Sequence, residues 1–313
     1  MVPGEGMRMA ILRSVLLFTV CLALSGAGWA QDIDTCLLPH VIVNVVGQQG
    51  KTIWGLPPES FQVRAGNQPT VVRSVQPGAG HRVVLLVDVS GSINKKTWEI
   101  ARAAAGNILV AAPSTFRVAL VLFSDRIIDT IGFDRPATDI VERLTRLENG
   151  KGGTAILDSV AYSIELLQPS GLGDAIYVIS DGGENASKTH RTDVEKKLLA
   201  GRIRLFTFIL RPKTQFATPE EAARLNLLEE LTQVSGGAAV DEDSTASFDA
   251  RQRLSVALQH GYDRIAHFYD LQLSIPERLA KKERLRLEIV DQDGKKRKDL
   301  SVSYPQYLLP CPP

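Results

Sequence analysis

The sequence predicts an α/β protein with a doubly wound, mainly parallel sheet, flanked by N- and C-terminal β segments. Between residues 82 and 268, apolar runs alternate with segments of helical spacing, as in parallel sheets covered on both faces. On either side, in residues 31–81 and 269–313, apolar and polar residues alternate with the period of a strand. Hydrophobic residues make up 44% and charged residues 23% of the 313, which argues against disorder and against a disulfide-dense miniprotein.

The first 30 residues have the features of a secretory signal peptide. Arg8 and Arg13 precede an apolar stretch at residues 15–24, and small residues lead up to Ala30. A membrane anchor is the alternative, but spanning a bilayer takes about 20 apolar residues and this run is much shorter. We therefore expect cleavage after Ala30, export to the periplasm or the medium, and no membrane insertion of the mature chain.

The N-terminal β segment, residues 31–81, is typical of short strands. The sequence predicts one strand at residues 40–46, a turn at 47–50 and a second strand at 52–54, after which glycine and proline break the pattern. The segment is too small to enclose a core of its own.

The α/β domain is predicted over residues 82–268. Residues 82–88 form a continuous apolar run that ends in an acid, which is typical of a strand buried on both faces. A later helix is marked by Thr218 as its cap and Pro219 at its first position. The further predicted strands are 117–123, 127–133, 175–180, 203–210 and 238–240, and the predicted helices are 93–110, 138–147, 155–167, 192–200, 219–234 and 247–268.

The C-terminal β segment, residues 269–313, returns to alternation at 269–275 and 284–289, and a turn at 291–294 leads to a strand at 300–304. Because neither β segment can enclose a core alone, we expect the two to form one small β-sandwich, with the α/β domain inserted between them.

Two cysteines remain after signal cleavage, Cys36 and Cys311, one near each end of the mature chain. In an oxidising compartment we expect them to form a disulfide that joins the termini, and two unpaired thiols are the alternative.

The overall charge is +1, from 36 Lys and Arg against 35 Asp and Glu, so no global field attracts the chain to nucleic acid or anionic lipid. We predict no nucleic-acid partner. A local basic patch includes Arg284 and Arg286 together with the lysines at 281–282 and the run Lys-Lys-Arg-Lys at 295–298. Edge strands often carry lysines that prevent aggregation, and an acidic partner or polyanion is the alternative interpretation.

Oxygen-bearing side chains follow three predicted strands or loops of the α/β domain. Such side chains lie where ligands bind in parallel sheets, at the carboxyl ends of the strands. They contain no sulfur and no imidazole, so they suit Mg²⁺, Mn²⁺ or Ca²⁺ rather than zinc or copper. Two carboxylates neutralise a divalent ion and leave a position for an outside oxygen. The five residues are Asp88, Ser90, Ser92, Thr154 and Asp181.

A structural interpretation competes with the metal site. Ser90 and Ser92 could cap the helix predicted from residue 93, and Asp181 could cap a turn. This explains each residue separately but not the convergence of all five. Glu184 and Lys151 flank the predicted rim, where exposed charge on a loop is the default expectation.

Three motifs, Asp-Val-Ser-Gly-Ser at 88–92, Gly-Gly-Thr at 152–154 and Ser-Asp-Gly at 180–182, resemble the metal-ion-dependent adhesion site of von Willebrand factor type A (VWA) domains. The resemblance extends over residues 82–268. It implies that Ser90, Ser92 and Thr154 are hydroxyl ligands, that Asp88 and Asp181 bind directly or through water, and that a partner protein supplies an Asp or Glu to the metal. The flanks are similar to those of bacterial exported proteins of this type.

The sequence therefore predicts an exported, non-enzymatic module that captures an acidic residue of a partner protein through Mg²⁺, Mn²⁺ or Ca²⁺. A metal-assisted hydrolase is the first alternative, but no general base is evident because both acids are committed to the ion. A scaffold whose metal only stabilises loops is the second alternative.

Overall fold

A computed structural model describes residues 35–112, 116–147, 151–211, 219–243 and 261–311. The predicted signal peptide lies outside these residues, as does most of the helix predicted at 247–268. Residues 261–266 are helical, and a strand begins at His267, so that helix ends two residues earlier than predicted. Among the described helices, none combines the length and the apolar character needed to cross a bilayer.

The described residues form thirteen strands in two sheets, together with five numbered helices, the helical residues 261–266 and two short 3-10 helices. The strands are β1 (His40–Gly47), β2 (Phe61–Ala65), β3 (Gln68–Ala79), β4 (Arg82–Asp88), β5 (Arg117–Phe123), β6 (Ile127–Ile131), β7 (Ala175–Ser180), β8 (Arg204–Arg211), β9 (Ala239–Asp243), β10 (His267–Ser274), β11 (Glu283–Ile289), β12 (Leu300–Ser303) and β13 (Tyr307–Leu308). The helices are α1 (Lys95–Ala111), α2 (Ala137–Arg146), α3 (Ile156–Leu166), α4 (Arg191–Gly201) and α5 (Pro219–Ser235).

The first sheet has the order β6-β5-β4-β7-β8-β9, and all neighbours are parallel except β6, which is antiparallel to β5. One apolar cluster joins it to α1, α2 and the helical residues 261–266, and a second joins its other face to α3, α4 and α5. Both faces are therefore covered, which is why the central strand β4 is a continuous apolar run. The predicted doubly wound α/β fold is confirmed.

The second sheet is antiparallel, with the order β12-β1-β10-β3-β2-β11-β13. In it β1 pairs with β10 and β12, β3 with β10, and β2 with β11, so strands from residues 40–79 pair with strands from residues 267–303. The long strand β3 pairs with β10 over residues 71–79 and with β2 over residues 68–70. Side chains from β1, β10, β2 and β11 share one apolar cluster, so the sheet curls over itself. The two layers of the expected sandwich are thus parts of one hydrogen-bonded sheet, and β3 belongs to both layers.

Parts of this sheet were not predicted. β2, β3 and β13 have no counterpart among the predicted strands. β3 runs through Pro69 and Pro77, residues that normally mark strand ends. The strand predicted at 52–54 is reduced to an isolated bridge between Thr52 and Val46. Cys36 and Cys311 form the predicted disulfide, with Cα atoms 5.7 Å apart.

A buried arginine joins the two sheets. Arg204, at the start of β8, is 1% exposed and donates hydrogen bonds to the side-chain oxygen of Asn44 in β1 (3.2 Å) and to the carbonyl of Ile265 (2.8 Å). Its guanidinium lies 4.4 Å from the centre of the Phe268 ring. Burial lowers the pKa of Arg204 to about 9, so it stays charged near neutral pH, where it stabilises the carbonyl end of the helix at 261–266.

Candidate metal centre

The centre is built around Asp88, the last residue of β4. Its side chain is fully buried, and both carboxylate oxygens accept hydrogen bonds. The amide of Ser90 donates to Oδ1 at 2.8 Å, and the hydroxyl of Ser180, at the end of the neighbouring strand β7, donates to Oδ2 at 2.6 Å. These bonds fix the carboxylate at the carboxyl edge of the sheet, between two adjacent strand ends.

The environment of Asp88 is unfavourable for a negative charge. Burial raises the pKa of Asp88 to about 6, against the hydrogen bonds from Ser180 and Ser90, and the nearby negative charge of Asp181 raises it further. Within the described part of the chain, no cationic side chain forms an ion pair with Asp88. A cation bound beside Asp88 and Asp181 would supply the missing compensation.

The hydroxyls of Ser90 and Ser92 lie 3.0 Å apart, with Ser90 buried and Ser92 exposed. The alternative in which they cap the following helix is wrong. That helix, α1, begins at Lys95, and its cap is Asn94, whose side-chain oxygen accepts from the amide of Thr97 at 3.0 Å. The two hydroxyls therefore contact each other rather than the helix.

Hydrogen bonds join the three loops that carry the predicted ligands. The amide of Gly91 donates to the carbonyl of Gly152 (3.1 Å), and the amide of Thr154 donates to the side-chain oxygen of Asn185 (2.8 Å). The Ser180–Asp88 bond closes the ring of contacts. The loops approach so closely that a Cβ on Gly91 would lie 3.3 Å from the carbonyl oxygen of Gly152. Gly152 itself adopts a positive φ of +99°.

Thr154 and Asp181 complete the predicted set. Thr154 is 2% exposed and immediately precedes Ala155 and helix α3. Asp181 is half-buried, and its Oδ1 accepts from the amide of Gly183 at 3.2 Å. The turn-capping role thus holds for one oxygen of Asp181, and among the described hydrogen bonds the other oxygen has no protein donor.

Sequence reasoning missed several residues around the centre. Ser180 and Asn185 position Asp88 and Thr154, and Ser180 could have been found because it directly precedes Asp181 in the third motif. Asp125 follows β5 and lies at the rim, where its carboxylate would be 3.1 Å from a Cβ on Gly152. Glu184, expected as an exposed charge that flanks the rim, is half-buried. It accepts from the amide of Leu157 (3.0 Å) and from neighbouring amides in its own loop, so it holds the loop against α3.

The donor chemistry fits a hard divalent cation. Among the described residues, no group of three or more His, Cys, Asp or Glu side chains is placed to hold a metal. The predicted ligand set consists instead of two carboxylates and three hydroxyls, which suit oxygen-seeking ions rather than soft metals.

The chain matches the family described as "VWA domain containing CoxE-like protein" over residues 63–233, which is more than half of its length. The chain belongs to this family. The matched range of the VWA domain includes all three loops of the candidate centre.

Solved structures resemble this VWA protein in fold at low sequence identity. An aerotolerance-related membrane protein from Bacteroides fragilis is 16% identical, with 59% of this chain and 98% of that chain covered and a TM-score of 0.46. Proximal thread matrix protein 1 from the mussel byssus, in a form titled "with zinc occupied MIDAS motif", is 16% identical over 64% of this chain and 50% of that chain, with a TM-score of 0.49. A von Willebrand factor type A protein from Catenulispora acidiphila is 11% identical over 87% and 74%, with a TM-score of 0.45. No protein of curated function matches the sequence.

Proposed function

We propose that this VWA domain is a divalent-metal-dependent protein-binding module. In this proposal, two serine hydroxyls, one threonine hydroxyl and two aspartates bind a divalent ion, which is Mg²⁺, Mn²⁺ or Ca²⁺. A partner protein completes the coordination with an Asp or Glu. The ring of hydrogen bonds that draws three ligand-bearing loops around a buried, uncompensated carboxylate carries the proposal. The ligands are Asp88, Ser90, Ser92, Thr154 and Asp181.

The charges of this ligand set favour an anionic guest. Two carboxylates balance a divalent ion, and the hydroxyls add no further negative charge, so the bound metal keeps an affinity for an outside carboxylate. Ser92 is exposed, whereas Asp88 and Ser90 are fully buried, so the open side of the site lies at Ser92. Ser180 fixes the orientation of Asp88 without binding the ion itself.

No observation favours the hydrolase alternative. Catalysis of hydrolysis requires a base within hydrogen-bonding reach of a metal-bound water. Among the described acids near the site, Glu184 is occupied by backbone amides, and Asp125 pairs with Arg126 at 3.1 Å. We propose a binding rather than a catalytic role on this basis.

The experiment uses the mature chain. Magnesium binding is measured by calorimetry, and capture of partners from a native envelope extract is measured with and without EDTA. We expect partner capture to require the metal. Asp88→Ala should abolish both magnesium binding and partner capture. Asp134→Ala, which removes an exposed acid elsewhere, should change neither magnesium binding nor capture. Capture that survives chelation and Asp88→Ala would reject the proposal. Metal binding that raises the melting temperature without affecting capture would favour the scaffold alternative.

We also propose that the chain is exported, with Ala30 as the last residue removed. The signal-like N-terminus supports this, as does the Cys36–Cys311 disulfide, since disulfides persist in oxidising compartments. Mass spectrometry of the protein from fractionated cells should find a chain that begins at Gln31 outside the cytoplasm. An uncleaved chain in the cytoplasm would contradict the proposal.

A further inference from the structure

A cleft of about 1110 Å³ lies on the curled antiparallel sheet, away from the metal centre. Its floor is formed by β2 and β11, and residues 302–304 line it together with Gln233 and Gly237. Gly237 lies just before β9, at the amino ends of the parallel strands, whereas the metal centre lies at their carboxyl ends. The two sites therefore lie at opposite edges of the parallel sheet.

Three arginines project into this cleft from the outer face of the antiparallel sheet. Arg64 of β2 lies directly opposite Arg286 of β11 in the register, and Arg284 lies two residues away on the same face of β11. All three are exposed, and they alternate with buried core residues. Directly opposed side chains on one face of an antiparallel pair have Cβ atoms about 4.5–5.5 Å apart, where like charges destabilise the sheet.

The chain does not neutralise this charge. Within the described residues, none of the three arginines forms an ion pair or a side-chain hydrogen bond. Glu288, the acid on the same face of β11, is paired with Lys296 at 2.6 Å, and the other acid in the lining is the exposed Glu59. Three arginines thus share this open cleft with a single unpaired acid.

We propose that this cleft binds an extended acidic segment of a polypeptide, with Arg64, Arg284 and Arg286 contacting its carboxylates. The planar guanidinium group matches a carboxylate through paired hydrogen bonds. Arg284 and Arg286 are separated by two residues of a strand, about 6.7 Å, which is the spacing of alternate side chains on an extended peptide. The proposal is independent of the metal centre.

The remaining lining favours a polypeptide over a nucleic acid. Val71, which is 63% exposed, and Tyr304 both line the cleft, so apolar contacts are available to the side chains between the acids. Single-stranded nucleic acids instead need a series of aromatic surfaces on which bases stack. Of the two aromatic residues in the described lining, Phe61 is buried in the core and only Tyr304 remains accessible.

The test measures fluorescence anisotropy of a labelled octapeptide of alternating Glu and Val with the mature chain, in EDTA throughout so that the metal centre does not contribute. We expect saturable binding that weakens with added NaCl, and at least tenfold weaker binding to the double variant Arg64→Gln, Arg286→Gln. Arg102→Gln, which removes an exposed arginine from α1, should bind as the wild type does. A matched peptide of Gln and Val should not bind.

Several outcomes would overturn the proposal: equal binding of the Gln peptide, equal weakening by Arg102→Gln, or tighter binding of an eight-nucleotide single strand than of the acidic peptide.

A thermal melt adds a readout that does not depend on the ligand. Because Arg64 and Arg286 repel each other, Arg64→Gln should melt at the same temperature as the wild type or a few degrees higher. A clear decrease would assign the arginines to the stability of the sheet and reject the binding role.

Discussion

Asp88 is the residue on which the candidate centre depends most. It is a carboxylate without a cationic partner among the described residues, and its folded-state pKa of about 6 exceeds the ordinary value of 3.8. The native protein without metal therefore binds more protons than the unfolded chain between these pH values, and its stability falls as the pH rises through them. Above pH 6 the metal-free folded protein carries the full free-energy cost of the buried Asp88 charge, at most about 3 kcal/mol.

The first prediction follows from this penalty. In EDTA at pH 7.5, Asp88→Asn should raise the free energy of unfolding by roughly 1–3 kcal/mol, because the amide keeps the contacts to Ser90 and Ser180 without a buried charge. At pH 4 the gain should largely disappear, since Asp88 is protonated in the wild type. Urea unfolding at both pH values measures it, with Asp134→Asn as the control. A loss of stability at pH 7.5 would show that the charge of Asp88 is already compensated.

Ser92 permits a milder test of the ligand set. Its side chain is exposed, so Ser92→Ala should fold normally but bind Mg²⁺ about tenfold more weakly, for the loss of one hydroxyl ligand (~1.4 kcal/mol). Calorimetry gives the affinity, and Ser301→Ala, at an exposed serine of β12, is the matched control. Unchanged affinity would remove Ser92 from the proposed ligands.

At the scale of elements, the loops between strands and helices carry the site, and their closeness depends on glycine. Gly152 has a φ of +99°, a conformation that other residues adopt only with strain, and its missing side chain makes room for Asp125. Gly106 lies inside helix α1 with open space around it, where alanine is the better helix former.

These two glycines give opposite predictions. Gly152→Ala should lower the free energy of unfolding by about 1–2 kcal/mol and weaken Mg²⁺ binding, because the loop shifts away from Gly91. Gly106→Ala should raise it by about 0.5–1 kcal/mol and leave metal binding unchanged. Chemical denaturation and calorimetry on both variants check this. Equal behaviour of the two would mean that the loop tolerates a side chain at residue 152.

How far the sequence predicted these elements depended on the type of contact. The strands of the parallel sheet were predicted nearly to the residue because burial on both faces leaves a continuous apolar run. β2 and β3 were missed because their pairing is non-local and β3 contains two prolines. The five proposed ligands were found from local motifs. Asn185 was missed because its contact with Thr154 depends on which loops meet. Asn94 was missed because the helix was predicted to begin at residue 93 rather than at Lys95, although its cap is a local contact. Ser180 was overlooked within the third motif.

At the scale of the whole molecule, contacts between residues distant in the sequence hold the fold together. The disulfide joins residues 275 positions apart, and Arg204 links β8 to β1 and to the end of the helix at 261–266. The chain passes from that helix into β10 without a linker. We expect the disulfide to contribute mainly by restricting the unfolded chain.

The last prediction concerns that disulfide. The double variant Cys36→Ser, Cys311→Ser should be less stable by about 3–5 kcal/mol in urea, with an unchanged affinity for Mg²⁺, because the loops of the metal centre lie in the parallel sheet. A reducing agent should lower the stability of the wild type by a similar amount and leave the double variant unchanged. Equal stability of wild type and variant would show that the β segments need no covalent link.

The sequence by itself determined the order of strands and helices in the parallel-sheet domain and the chemical type of the candidate centre, because periodicity and short motifs are local properties of the chain. Only the tertiary structure decided that β3 is shared between the two layers and that Arg64 faces Arg286. Both depend on strand register. Register is set by the packing of the whole core, and no local pattern encodes it.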